Sequence, residues 1–279
     1  MLCRFLMARD NDLAAAAKMC RESFAFRKLH VPRALNECGS FTVESDAPLD
    51  GAALEGRWSW RCFESPADAS SLRARLALMH APDKLMPTIT AADGSPVFIS
   101  RFGALDVDGI ATESLADPLV MRIVAHLEDC LQTCRSRGRA QHRIVRARAV
   151  LDLAGLRVFA AIRRLRLLKQ IFSIGQAIYP EGIHSVTIIN APRAFATFWS
   201  VFSLILDDAM RAKILIVGTD YAAALKDHAN IVVTAQLPKS MGGQAENDML
   251  PLTLPVEKGV GQTLRDANEP PFLVEAFEP

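Results

Sequence analysis

Val186-Thr-Ile-Ile189 and Ile214-Leu-Ile-Val217 are short β-branched runs separated by Arg193 to Ala212, an apolar stretch long enough for a crossover helix. Strand, helix and strand in that order make a parallel pair, because only a crossover of a dozen or more residues returns a chain to the same end of a sheet. The pattern extends outward on both sides. Ala147 to Leu153 and Ile231 to Thr234 read as further strands, and Leu156 to Ile178 and Tyr221 to Asp227 as helices between them. The fold class is therefore α/β, a layered structure with a largely parallel sheet flanked by helices.

Upstream, Val97 to Ile99 follows Asp93-Gly94 and has hairpin or strand character. From Pro118 to Arg137, apolar Val120, Ile123, Val124, Leu127, Leu131 and Cys134 recur at helical spacing, with Gly138 as the expected stop. Residues 1–30 read as helical, with Asp12 capping an Ala- and Leu-rich segment from Leu13 to Lys28. The chain divides into a partial helical subdomain at 1–38, an irregular connection at 39–86, the α/β domain at 87–245 and a weakly patterned tail at 246–279. The connection, mixed in Gly, Pro, Ser and Asp with Trp58, Trp60 and Phe63, is expected to hold one short helix near Ser71 to His80.

With 279 residues and 50% hydrophobic content, the chain has enough apolar surface for a sizeable core. Net charge is only +1, yet Arg135, Arg137, Arg139, Arg143, Arg146, Arg148, Arg157, Arg163, Arg164, Arg166 and Lys169 face only Asp152 across residues 135–169. That segment is read as solvation of an apolar region or as an anionic-membrane patch; aromatic stacking residues are too sparse there for nucleic acid. Six cysteines form no dense framework in a chain this long, which implies a reduced, cytoplasmic compartment. Met-Leu-Cys-Arg-Phe-Leu at the start lacks the pattern of a secretory signal. The longest nearly uncharged apolar run, Ala194 to Leu206, is too short to span a bilayer, so membrane contact is expected to be peripheral.

Catalytic signatures do not appear: there is no Gly-x-Ser-x-Gly, no Gly-Lys-Ser/Thr phosphate loop and no Gly-x-Gly-x-x-Gly, and the protein is read as a non-enzyme. His126, Cys130 and Cys134, four apart, form a conceivable three-ligand zinc set. On an apolar helix face, however, the two cysteines read better as small buried hydrophobes, and no metal is expected. Phe195, Phe198, Trp199, Phe202 and Leu206 fall three and four apart, which puts the four aromatic rings on one helical stripe.

Five fragments occur in fixed order: Asp152-Leu-Ala-Gly155, Tyr179-Pro-Glu181, Ile188-Ile-Asn-Ala-Pro192, Lys213-Ile-Leu-Ile-Val-Gly218 and Leu237-Pro-Lys-Ser-Met-Gly-Gly243. Arg4-Phe-Leu-x-Ala-Arg9, Phe26-Arg-Lys28 and Asp93-Gly-Ser-Pro-Val-Phe98 extend the series towards the amino terminus. The series resembles the CRAL-TRIO lipid-binding family, and within it the phosphatidylinositol/phosphatidylcholine transfer proteins. The resemblance implies the CRAL-TRIO fold behind a shortened helical subdomain, with Phe195, Phe198, Trp199 and Phe202 on a mobile gate helix over an acyl cavity. It also implies a headgroup site at Arg9, Glu181 and Lys213, in which cations meet a phosphate and the carboxylate accepts from hydroxyls.

The implied activity is phospholipid binding and transfer between membranes, most closely of phosphatidylinositol, with presentation to a lipid kinase as a further implied role. No cofactor is expected beyond the bound phospholipid, and the implied partners are phospholipid and anionic membranes. This chain departs from the family pattern at Asp10 and Gly182, where basic residues usually stand, and at Ala147 and Ala149, where a hydroxyl pair contacts phosphocholine. Two other readings remain open: a carrier of a sterol, tocopherol or retinoid, and a membrane or protein interaction module that has lost transfer.

Overall fold

The computed structural model describes residues 2–38, 89–100, 102–105, 107–112, 116–232 and 237–244. The expected connection at 39–86 and tail at 246–279 lie outside them. The described chain runs α1 (Leu2–Met7), α2 (Leu13–Cys38), β1 (Val97–Ser100), a 3-10 turn (Phe102–Ala104), α3 (Val107–Thr112), α4 (Ala116–Ala140) and β2 (Ala147–Asp152). It continues through α5 (Val158–Arg163), α6 (Leu165–Ile178), β3 (Ile183–Ile189), α7 (Phe195–Phe202), a 3-10 turn (Ser203–Ile205), α8 (Asp208–Ala212), β4 (Ile214–Ile216) and α9 (Ala222–Asp227).

The four strands pair in sequence order, β1-β2-β3-β4, and every pairing is parallel. Right-handed crossovers that always step in one direction put their helices on one face of such a sheet. Accordingly, Ala149, Leu151, Val186, Ile188, Ile214 and Ile216 on that face pack with residues of α5, α6 and α7. The opposite face, carrying Val97, Ile99, Val150 and Ile189, is covered by Leu225 of α9 and by Ala229, Ile231, Leu237 and Met241 from the chain after β4. With both faces covered, the strands are apolar runs rather than alternating ones.

Local chemistry sets several boundaries. Asp12 caps α2 as expected, its Oδ1 accepting from the amides of Ala14 and Ala15 at 2.8 and 3.0 Å. α2 runs past the expected end at residue 30 to Cys38, with Pro32 inside it. Gly138 does not stop α4, which continues to Ala140. Its role is spatial: a Cβ there would lie 2.8 Å from the Arg143 carbonyl oxygen as the chain turns back towards β2, a turn in which His142 takes a left-handed φ of 51°. The helix expected from Leu156 to Ile178 is two, broken at Arg164. The one expected from Arg193 to Ala212 is α7, a 3-10 turn and α8, the last capped by the Asp207 carboxylate on the Met210 amide. Ile231 and Val232 lie in no strand, and the rest of the expected strand to Thr234 falls outside the described residues.

Two of the ordered fragments are devices of the fold. Asp152, ending β2, accepts from the Ala154 amide and from Asn190 Nδ2 at 2.9 and 2.8 Å, so Asp-Leu-Ala-Gly and Ile-Ile-Asn-Ala-Pro clasp each other at the carboxyl ends of adjacent strands. Gly155 takes a φ of +82° there, which a residue without Cβ adopts at no steric cost.

Candidate functional site

Three charged side chains converge at the opposite, amino-terminal edge of the sheet. Arg146 precedes β2, Glu181 stands just before β3, and Lys213 precedes β4. Because the strands are parallel and consecutive, their starting ends lie side by side. Lys213 Nζ donates to Glu181 Oε1 at 2.8 Å, and Arg146 Nη1 donates to Glu181 Oε2. The three are largely but not fully enclosed, with side-chain exposures of 26% for Arg146, 12% for Glu181 and 21% for Lys213. Burial pushes the Glu181 carboxyl up, but the hydrogen bond and charge of Lys213, then those of Arg146, outweigh it and hold the group below the usual carboxylate range.

Glu181 has a left-handed backbone, with φ at 52°. A non-glycine residue there needs support, and buried Arg4 supplies it. Arg4 of α1 donates through Nη1 to the Glu181 carbonyl and through Nη2 to the Val145 carbonyl, joining the chain before β3 to the chain before β2. The family resemblance assigns Arg9 to this site, and in the structure Arg9 stands away from it. Arg9 is exposed and donates to the carbonyl of its neighbour Ala8 at 2.9 Å, beyond the end of α1 where the chain turns through Asp10 and Asn11 at positive φ. Of the expected set, Glu181 and Lys213 meet; Arg4 and Arg146 were not expected. Arg4 belongs to an Arg-Phe-Leu element that the sequence displays, but nothing local marks its target, more than a hundred residues away.

Tyr179, two residues before Glu181, donates to Glu128 Oε1 at 2.9 Å, and Arg27 grips both carboxylate oxygens of Glu128 at 2.6 and 2.9 Å. Burial, then the Glu128 charge, pushes the Tyr179 phenol well up, so it stays a hydrogen-bond donor. This network pins α2, α4 and the end of α6 together behind the site.

The aromatic stripe forms as expected on α7. Phe195, Phe198 and Phe202 are buried, and Trp199 is partly so. Phe198 and Phe202 stack at 5.0 Å, Phe195 and Trp199 at 6.2 Å, and Phe202 meets the edge of Phe172 of α6 at 4.9 Å. Val201, near the end of α7, and Leu204, in the 3-10 turn that follows it, are exposed.

Cys130 and Cys134 pack with Phe98 and Ala147, and burial pushes the Cys134 thiol up to about 11. Cys130 Sγ also lies 3.2 Å from His126 Nε2. Three arginines of the basic segment serve the turn before β1: Arg137 donates to the Gly94 carbonyl, Arg143 to that of Asp93, and Arg148 to the Asp93 carboxylate at 3.1 Å. No helix among the described residues is long and apolar enough to cross a membrane.

Comparison with known proteins identifies the setting of this site. Residues 90–243, more than half of the chain, match the CRAL/TRIO domain. The chain is 30% identical over 249 residues to a SEC14 cytosolic factor of Kluyveromyces lactis, covering 88% of this chain and 70% of that protein. A SEC14 cytosolic factor of Candida glabrata is 26% identical, with 88% and 71% covered. Protein real-time of Aedes aegypti is 27% identical over 87% of this chain but only 33% of its own length. The crystal structure of Sfh5 superposes with a TM-score of 0.59 over 95% of this chain and 79% of that one at 13% identity, a likeness of fold. The ordered motifs, the parallel sheet with its crossover helices on one face, and these matches place the chain in the CRAL-TRIO family.

Proposed function

We propose that the protein is a non-enzymatic carrier that binds a phospholipid and moves it between membranes, with phosphatidylinositol as its cargo, and that it presents this lipid to a lipid kinase. The observation that carries the reading is the meeting of Glu181 and Lys213 at 2.8 Å, at the starting edge of the sheet, in a chain of this family. A carboxylate beside cations suits a headgroup with one phosphate and several hydroxyls: the cations donate to phosphate oxygens and the carboxylate accepts from hydroxyls.

The acyl chains set the other requirement. At about 0.8 kcal/mol per methylene, a chain of roughly sixteen carbons loses on the order of 10 kcal/mol if it enters water bare. A carrier must therefore enclose it and must open to exchange it. α7 and the 3-10 turn after it have the composition for both states, with Phe195, Phe198 and Phe202 turned inward and Val201 and Leu204 exposed beside them. On this reading α7 is the gate, and the protein works in the cytoplasm with transient contact at anionic membranes.

The test is native mass spectrometry with lipid analysis on protein purified from a eukaryotic host. Phosphatidylinositol at near one per chain supports the reading. A sterol, tocopherol or retinoid in its place keeps the carrier and rejects the cargo. A folded protein with no lipid favours an interaction module.

A further inference from the structure

Among the described residues, the charges at the starting edge of the sheet do not cancel. Arg4, Arg146 and Lys213 are brought together by Glu181, the one carboxylate that bonds to any of them among the described residues. Arg4 spends both terminal nitrogens on backbone carbonyls and shares the single Glu181 charge with Arg146 and Lys213. Among the described residues the neighbouring groups add no free acid. Asp93 is taken by Arg148, and the exposed His184, pulled down by desolvation and then by Arg148 and Arg146, stays neutral. The thiol of Cys134 is pushed up and stays protonated at neutral pH. A partly enclosed cluster with excess positive charge is stabilised by an anion, and the incompletely covered Arg146 and Lys213 are the members able to meet one.

Resting on the carrier reading above, we infer that Arg146 selects the headgroup: together with Lys213 it takes the phosphate of an anionic, phosphate-bearing lipid, and it disfavours a headgroup that carries a quaternary ammonium. Glu181 fixes the spacing of the two donors, each holding one of its oxygens, so that a phosphate approaching from outside meets two N–H donors already aimed by the same carboxylate. A choline headgroup brings a fixed positive charge to a place where the cations already outnumber the Glu181 carboxylate.

The experiment measures transfer of fluorescent phosphatidylinositol and phosphatidylcholine between vesicles by the full chain and by R146Q, R146K and K213A, with thermal melting to verify folding. The wild type is expected to favour phosphatidylinositol. R146Q is expected to lower the inositol-to-choline ratio about tenfold, the scale of one charge-assisted hydrogen bond, while R146K stays within about threefold of wild type. A wild type that moves phosphatidylcholine as readily as phosphatidylinositol overturns the inference without any variant. If K213A lowers the ratio and R146Q leaves it unchanged, Arg146 is only a partner for Glu181 and the inference falls alone. If neither variant changes transfer of either lipid, the headgroup site of the carrier reading falls with it.

Discussion

Lys213 Nζ lies 2.8 Å from Glu181 Oε1 although the residues are 32 apart in sequence, because each stands just before a strand and the two strands are parallel neighbours. Arg146 holds the other oxygen of Glu181 from before the strand on the far side of β3. The carboxylate is therefore the centre of the cluster and the cations its rim. Removing the centre should cost more than removing one rim member. Glu181→Ala leaves Arg146 and Lys213 facing each other partly buried and should destabilise by about 1–3 kcal/mol; Lys213→Ala, with Arg146 still in place, should cost under about 1 kcal/mol. Urea denaturation of the two variants checks the order, and the reverse order would refute this account.

Arg4→Ala should destabilise by about 2–3 kcal/mol, since it removes two charge-assisted bonds and leaves the Glu181 and Val145 carbonyls short of a donor. The effect should be local as well as global. Amide hydrogen exchange should speed up through α1 and around Glu181 before it does so in β2. Uniform loss of protection would instead mean that Arg4 acts only through overall stability.

Glu128→Ala should be among the most damaging single changes, at about 3 kcal/mol or more. It takes the carboxylate away from the largely buried Arg27 guanidinium and from the Tyr179 hydroxyl together. Tyr179→Phe removes one bond and leaves Arg27 paired, so its cost should be near 1 kcal/mol. Thermal melting of the pair of variants distinguishes a network centred on the carboxylate from ordinary packing.

Acid should weaken the fold through two carboxylates. Asp93 is pushed up by burial, but the Ser95 amide and then Arg148 outweigh this and hold it at about 2, and Glu181 is also held below its ordinary range. Both folded-state values are depressed, so the unfolded chain binds protons first as pH falls. Their stabilisation is present in full above the ordinary carboxylate values of 3.8 and 4.5, and it is lost as pH falls below them towards the folded-state values. Denaturant midpoints for wild type and Asp93→Asn between pH 6 and pH 3 should converge as the pH drops; parallel curves would count against the Asp93 contribution.

Phe202→Ala should cost about 3–5 kcal/mol, because the ring is stacked on Phe198 and edged by Phe172 in the cluster under α7. Leu204, 77% exposed, should tolerate Ala within about 0.5 kcal/mol. If α7 is the gate, Leu204→Ala should still slow lipid transfer between vesicles while leaving the melting temperature unchanged. Equal transfer by wild type and Leu204→Ala would place the membrane contact elsewhere.

Much of the fold was legible because its strands are short, buried on both faces and rich in β-branched residues, a signal that survives without knowledge of partners. Val186 to Ile189 and Ile214 onward were found on that basis, as was the cap at Asp12. Helix ends were less legible. Gly138 looked like a stop, yet it is a point of close approach to Arg143, and the break at Arg164 has neither glycine nor proline to announce it.

For the candidate site, the sequence by itself determined the residue types and their attachment points: a carboxylate after Tyr-Pro and a lysine at the head of a strand, each tied to a strand by its neighbours in the chain. Tertiary structure alone decided which cations stand around that carboxylate. Arg9 and Arg4 lie in the same short segment, and both are arginines. α1 ends at Met7 and the chain turns through Asp10 and Asn11, which leaves Arg9 in solvent and directs Arg4 onto the Glu181 and Val145 carbonyls. Arg146 was one arginine among many in a basic segment until the register of β2 against β3 set it beside Glu181. Local pattern fixes how a residue leaves the backbone; which distant charge it meets depends on strand order and helix docking, and these are properties of the whole chain's packing.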